Sequence, residues 1–275
     1  MPKKVGQALA TGKACKPFRD HLAVERAKSP RPSSWAQVES EFLKAMALFD
    51  VEVMAGRASE GERQNGKGDY FNDLVAIVLE TASGRILSTR KLVPGLIFPN
   101  HNLDVTYPGG KNDIAEVLVE AKMLGTPKHP GSGKQKAEGR PGSADLLKRA
   151  KELGFKTLDL KAGFGLKISL SGGSQPAPSG DLGAWSKASR PKTYFLAGIR
   201  VASESDLKSC VEMCMNMQKV LDGVGLFAYT NNNLTVPPTS YVPANYKGTT
   251  IPSGLDFTTV VHQIGNVLAS LPVVP

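Results

Sequence analysis

The chain has 275 residues, room for one large domain or for one domain with a helical subdomain attached. Its hydrophobic fraction of 41% excludes disorder throughout, and 34 basic against 25 acidic side chains leave a net charge of +9 that favours a polyanionic partner or an anionic membrane surface. Three cysteines, with Cys210 and Cys214 spaced i, i+4, argue against a disulfide framework. The four histidines are scattered without zinc-ligand spacing. No apolar run reaches signal-peptide or membrane-spanning length, which predicts a soluble, intracellular protein with no membrane partner.

In chain order, the first 60 residues read as helical. Trp35, Val38, Phe42, Ala45, Met46 and Phe49 recur at helical spacing over 35–54. Residues 58–68 are polar and glycine-rich and read as a loop. A second helix is expected over 69–81, with Asp69 as N-cap and Gly84 just past its end. The period then shortens. Segments 85–90, 102–107 and 115–121 read as strands, and the turn residues from Pro108 to Asp113 join the last two as an antiparallel hairpin. A basic loop over 126–142 leads to a helix at 143–153 and strands at 155–160 and 166–170. After a Gly/Pro/Ser loop at 171–183 come a strand at 193–201, a helix at 204–221, a strand at 224–230 and a terminal helix at 256–271. The pattern predicts a mixed α/β sheet covered on both faces. It divides into a helical N-terminal region (1–68), a core (69–230) and a C-terminal extension (231–275), all within one compact unit.

The hairpin carries the chemistry. Glu120 and Lys122 are two apart on a strand, so both leave one face, together with Leu118, while Val117, Val119 and Ala121 point the other way. The first strand of the hairpin brings Asp104 to the same neighbourhood. Two carboxylates can hold a hard divalent cation through oxygen, and an adjacent ammonium can orient or help deprotonate a water. Phosphodiester hydrolysis calls for this set.

Asp104 followed by Glu120-Ala121-Lys122 resembles the PD-(D/E)xK nuclease motif. The helix before it and the helix–strand pair after it are similar to the core of type II restriction endonucleases, giving a restriction-endonuclease-like mixed sheet over roughly 69–160. Leu103 stands where that motif places proline. The resemblance implies a Mg2+-dependent enzyme, with Mn2+ as a substitute, that cuts double-stranded DNA to leave 5′-phosphate ends. It implies Asp104 and Glu120 as metal ligands and Lys122 as the residue acting on water, in the cytoplasm of a prokaryotic cell.

Lys128, Lys134, Lys136 and Arg140, in the loop after the motif, are expected to neutralise backbone phosphates, and Arg140 could also read guanine. Lys148, Arg149 and Lys151 extend the basic run. Gly131-Ser132-Gly133-Lys134 lacks the first glycine and the Ser/Thr of a P-loop, which excludes a nucleoside triphosphatase of that kind. A rival pair, Asp159 and Lys161, has the D-x-K form on an expected strand, with Glu120 as its upstream acid. Asp69, Asp73 and Glu80 share one helix stripe, within about 40°; one of them could reach the metal or its water, but the stripe reads first as a solvated face and all three are left out of the site. One site per chain and no internal repeat predict a homodimer or a dimer of dimers, since a palindromic duplex needs two sites. The helical N-terminus and the Met/Cys-rich helix around Met213 and Cys214 offer apolar surface for it, or serve as internal core.

Overall fold

Burial alternates along the central strands and sets the architecture. Val117, Val119, Ala121, Tyr194, Leu196, Phe227 and Tyr229 join one apolar cluster, whereas Phe195, Ala197, Ile199, Val224, Leu226 and Ala228 join another. A sheet buried on both faces follows. The computed structural model describes residues 3–4, 27, 31–54, 60–110, 113–127, 139–231 and 240–273. Among these, one sheet runs in the order β1 (Lys3–Lys4), β2 (Ser88–Val93), β3 (His101–Tyr107), β4 (Val117–Leu124), β5 (Lys192–Arg200), β6 (Gly223–Thr230) and β7 (Val242–Pro243). The first four strands form an antiparallel meander. β4, β5 and β6 are parallel, and β7 returns antiparallel. The fold is mixed α/β with an open sheet.

Helices α1 (Glu39–Met54), α2 (Glu60–Ser83) and α6 (Phe257–Ser270) cover one face. Trp35 is wholly buried there, with its ring centroid 4.4 Å from that of Phe257 and 5.0 Å from that of Phe42. Helices α3 (Gly142–Leu170) and α5 (Glu204–Met217) are the crossovers to β5 and β6, and both contribute to the cluster on the opposite face. The short α4 (Leu182–Ala188) precedes β5. The 68/69 boundary expected from sequence falls inside α2, and residues from all three expected regions share the larger core.

Several expected elements change. Residues 60–68 are not a loop but the first turns of α2, with Asp69 inside the helix rather than at its cap. A Cβ at Gly66 would come within 2.6 Å of Phe49 Cε1, so this glycine marks close packing of α2 on α1, not a chain break. The strand expected at 85–90 lies at Ser88–Val93. The largest change is α3: the helix expected at 143–153 and both strands expected at 155–160 and 166–170 are one 29-residue helix. A Cβ at Gly163 would meet the Gly95 carbonyl carbon at 2.4 Å, so glycine lets this helix lie directly on the β2–β3 loop. The two apolar surfaces considered for a dimer interface, around Trp35–Phe49 and Cys210–Met217, are mostly core, although Met215 is exposed.

Candidate active site

A local break in the sheet presents Asp104. The β2–β3 register runs from Thr89–Val105 to Lys91–Leu103 and leaves the intervening Arg90 and Asp104 out of the ladder. Arg90 has φ 56°, unusual for a side chain with a Cβ and costly by about 1–3 kcal/mol. Its guanidinium donates to Asp69 at 2.6 Å and to Asp73 at 3.4 Å, both on α2, and these ion pairs hold the irregular backbone. Across the break the strand changes face: Val105 belongs to the larger core and Leu103 to a small cluster with Leu118 and Leu160. Pairing of β3 with β4 ends at Val105–Val119, immediately before Asp104 and Glu120.

The Asp104 carboxylate is therefore reached from several sides. Asn72 Nδ2 of α2 donates to Oδ1 at 2.9 Å, and the Ala121 amide donates to Oδ2 at 3.0 Å. Lys122 Nζ lies 2.5 Å from Asp104 Oδ2 and 3.7 Å from Glu120 Oε1, so its ammonium bridges the two carboxylates. The same Glu120 Oε1 accepts from Lys156 Nζ at 2.6 Å, and Lys156 also donates to the Asn102 carbonyl at 2.7 Å. Asp104, Glu120 and Lys122 thus converge. The helix before the hairpin contributes Asn72 rather than an acid, since Asp69 and Asp73 engage Arg90 and Glu80 accepts from the Leu87 amide at 3.2 Å.

Burial and the neighbouring Asp104 charge push the Glu120 carboxyl up to about 7, against the opposing pull of Lys122 and Lys156. For Lys122, burial acts to lower the pKa, but the Glu120 and Asp104 charges outweigh it and raise the pKa. Because Glu120 holds its proton more tightly folded than unfolded, its contribution to stability is present below about 4.5 and is lost as pH rises through 7. Between pH 5 and 8 in EDTA, urea unfolding of the parent is expected to lose roughly 2–3 kcal/mol more stability than unfolding of Glu120→Gln. Equal pH profiles would remove that assignment.

Among the described residues no group of three or more His, Cys, Asp or Glu side chains gathers as a metal cage. The acceptors that are present suit a hard cation. Glu120 Oε2 and Asn72 Oδ1 are buried without a hydrogen-bond partner, and each lies beside Asp104 or its ion pair. Buried acceptors of this kind are normally filled. Two carboxylates with an open oxygen, completed by water and substrate oxygens, match how Mg2+ is usually held.

A cleft of about 310 Å³ opens beside Lys122, with Lys67, Arg140, Lys148 and Arg149 on its walls and Asp145 as their one acidic counterpart. Arg140 is 73% exposed at its side chain, 3.6 Å from Asp145, and its backbone pairs with Thr126. Lys128, Lys134 and Lys136 lie outside the described residues, but Thr126 and Arg140, which flank them in the chain, both line this cleft. A larger cavity, about 610 Å³, runs along α1 and Tyr241 and shares no residue with the carboxylate site.

The rival pair comes apart in α3. Asp159 accepts from the Ile97 and Phe98 amides at 2.7 and 3.1 Å and lies 2.7 Å from His101 Nε2, which ties down the β2–β3 loop. Lys161 is fully buried and donates to the Ser189 and Pro191 carbonyls and to Asp222. The charged groups that act on Glu120 are Asp104, Lys122 and Lys156, not this pair.

Sequence reasoning missed Asn72, Lys67 and Lys156. The available signal for Lys156 was its seven-residue spacing from Arg149, one helix face, hidden by the alternation from Phe155 to Leu160 after Gly154. Comparison with known protein families, curated proteins and solved structures gives no match.

Proposed function

We propose that this chain is a Mg2+-dependent endonuclease that cuts double-stranded DNA, of the type II restriction class, with Asp104, Glu120 and Lys122 as its catalytic residues. The observation that carries the reading is the Asp104–Glu120–Lys122 cluster at the end of the β3–β4 ladder, its two carboxylates buried and its Lys122 lining a basic cleft. The order of a helix, an antiparallel meander and a crossover helix leading to a parallel strand accords with the restriction-endonuclease-like fold that the motif suggests.

Asp104 and Glu120 would hold the cation, Mg2+ or Mn2+. Bound there, it supplies charge neutralisation at the phosphoryl oxygens and a water of lowered pKa. Lys122, held against both carboxylates, stands where it can orient that water or meet a phosphate oxygen. Arg140, Lys148 and Arg149 would neutralise backbone phosphates along the cleft, with Lys128, Lys134 and Lys136, which precede Arg140 in the chain, as further contacts. No helix among the described residues is long and apolar enough to cross a membrane. The reading places the protein in the cytoplasm of a prokaryotic cell.

Incubating purified protein with phage DNA and Mg2+, with an EDTA control, tests the proposal. Discrete fragments in Mg2+ alone are expected. A preference for branched substrates would indicate a repair or junction nuclease of the same fold. Binding without cutting would indicate a non-catalytic DNA-binding protein.

Cutting both strands of a short symmetric sequence needs two such sites, so the proposal includes a homodimer or a dimer of dimers. Light scattering at micromolar concentration should give at least twice the chain mass of 29.3 kDa. A single-chain mass, both free and on DNA, would mean that a monomer cuts the strands in turn.

A further inference from the structure

We infer that Lys156 of α3 is a positioning residue of this site, anchoring Glu120 by Oε1 so that Oε2 is the oxygen left for a divalent cation. The inference rests on the cation-dependent reading above. Lys156 reaches the carboxylate from the crossover helix, and its side chain is 16% exposed. Nζ donates to Glu120 Oε1 at 2.6 Å and to the Asn102 carbonyl at 2.7 Å, two contacts that fix the ammonium against both strands of the hairpin. Asn102 is two residues before Asp104, so the same ammonium ties the strand bearing one carboxylate to the side chain of the other. Lys122 stands 3.7 Å from the same Oε1, so both cations crowd one oxygen. The second oxygen, Oε2, is buried and has no hydrogen-bond partner.

Burying a carboxylate oxygen unpaired is costly, and rotation about the terminal Glu torsion would readily exchange the two oxygens. Lys156 opposes that rotation by its hydrogen bond to Oε1, with Lys122 near the same oxygen. Partners that orient a ligating carboxylate influence metal affinity strongly, and losing one typically costs 10–100-fold. The bond that Lys156 makes to Glu120, and not its charge alone, is the feature at work.

The test is Mn2+ binding to the full chain, followed by titration calorimetry without DNA. Lys156→Met, or Lys156→Ala should the Met variant lose the parent far-UV spectrum, is expected to bind Mn2+ at least about tenfold more weakly than the parent. Lys156→Gln, which keeps a donor for Oε1, is expected to recover most of that loss. Affinity in the Met or Ala variant equal to or tighter than the parent's would overturn the inference, because Lys156 would then be a competing counter-ion. A folded Gln variant that binds no better than Met or Ala would overturn it too. If the parent binds no Mn2+, or Glu120→Gln binds it as the parent does, the site reading itself fails. Binding that depends on Glu120 but ignores Lys156 overturns this inference alone.

Discussion

Asp104→Asn and Glu120→Gln should each lower Mg2+-dependent DNA cleavage by on the order of 10³-fold or more while leaving the chain folded. Both substitutions keep the side-chain shape and remove the charge that would bind the cation. A cation clamp on a phosphoryl oxygen contributes several kcal/mol, and each 1.36 kcal/mol is a factor of ten in rate. Asp104→Asn also places an amide against Lys122 and the Ala121 N–H, groups that both donate to the native Oδ2. Lys122→Ala separates chemistry from affinity: cleavage should be lost, while DNA binding in Ca2+ stays close to the parent's. Plasmid nicking assays and gel-shift titrations measure the two. Full cleavage by the Asp104 or Lys122 variant would remove the assignment.

The second large effect is on stability, at Lys161. This ammonium is fully buried among the Ser189 and Pro191 carbonyls and Asp222 Oδ2, which lies 2.8 Å away. Lys161→Met leaves two carbonyls and half of a carboxylate without that donor. Lys192, 3.0 Å from Asp222 Oδ1, softens the loss. Breaking a buried pair typically costs 3–5 kcal/mol, and the lower end, about 3 kcal/mol, is expected here. In a chain of this size that lowers Tm by roughly 6–12 °C. Below its melting range the variant should still cut DNA. A folded Lys161→Met that cannot cut, beside a Lys122→Ala that can, would transfer the site to Asp159 and Lys161.

The hairpin was legible because its signals are local. Turn residues from Pro108 to Asp113, apolar alternation around Val117–Ala121 and the i, i+2 spacing of Glu120 and Lys122 all act within a few residues, and β3 and β4 pair as they imply. The parallel strands β5 and β6 and helix α5 were equally plain, since each is long and strongly periodic. Glycine misled the reading of α2: Gly66 looks like a break in sequence, yet it sits where Phe49 of α1 approaches too closely for a Cβ. In α3 the apolar alternation from Phe155 to Leu160 read as a strand, while Gly163 lies where the β2–β3 loop leaves no room for a Cβ, a contact between residues far apart in the chain. The D-x-K form of Asp159 and Lys161 likewise dissolved once both fell on a helix, where two residues apart means different faces. Sequence alone thus determined the hairpin strands β3 and β4, their pairing across the turn and the acids and lysine they carry, together with β5 and β6. Only the tertiary structure decided that Arg90 interrupts the sheet beside Asp104, that Asn72 rather than an acid reaches it, and that Lys156 meets Glu120. The last two contacts join residues 32 and 36 positions apart. Such distances are set by how helices and sheet pack, which no local periodicity encodes.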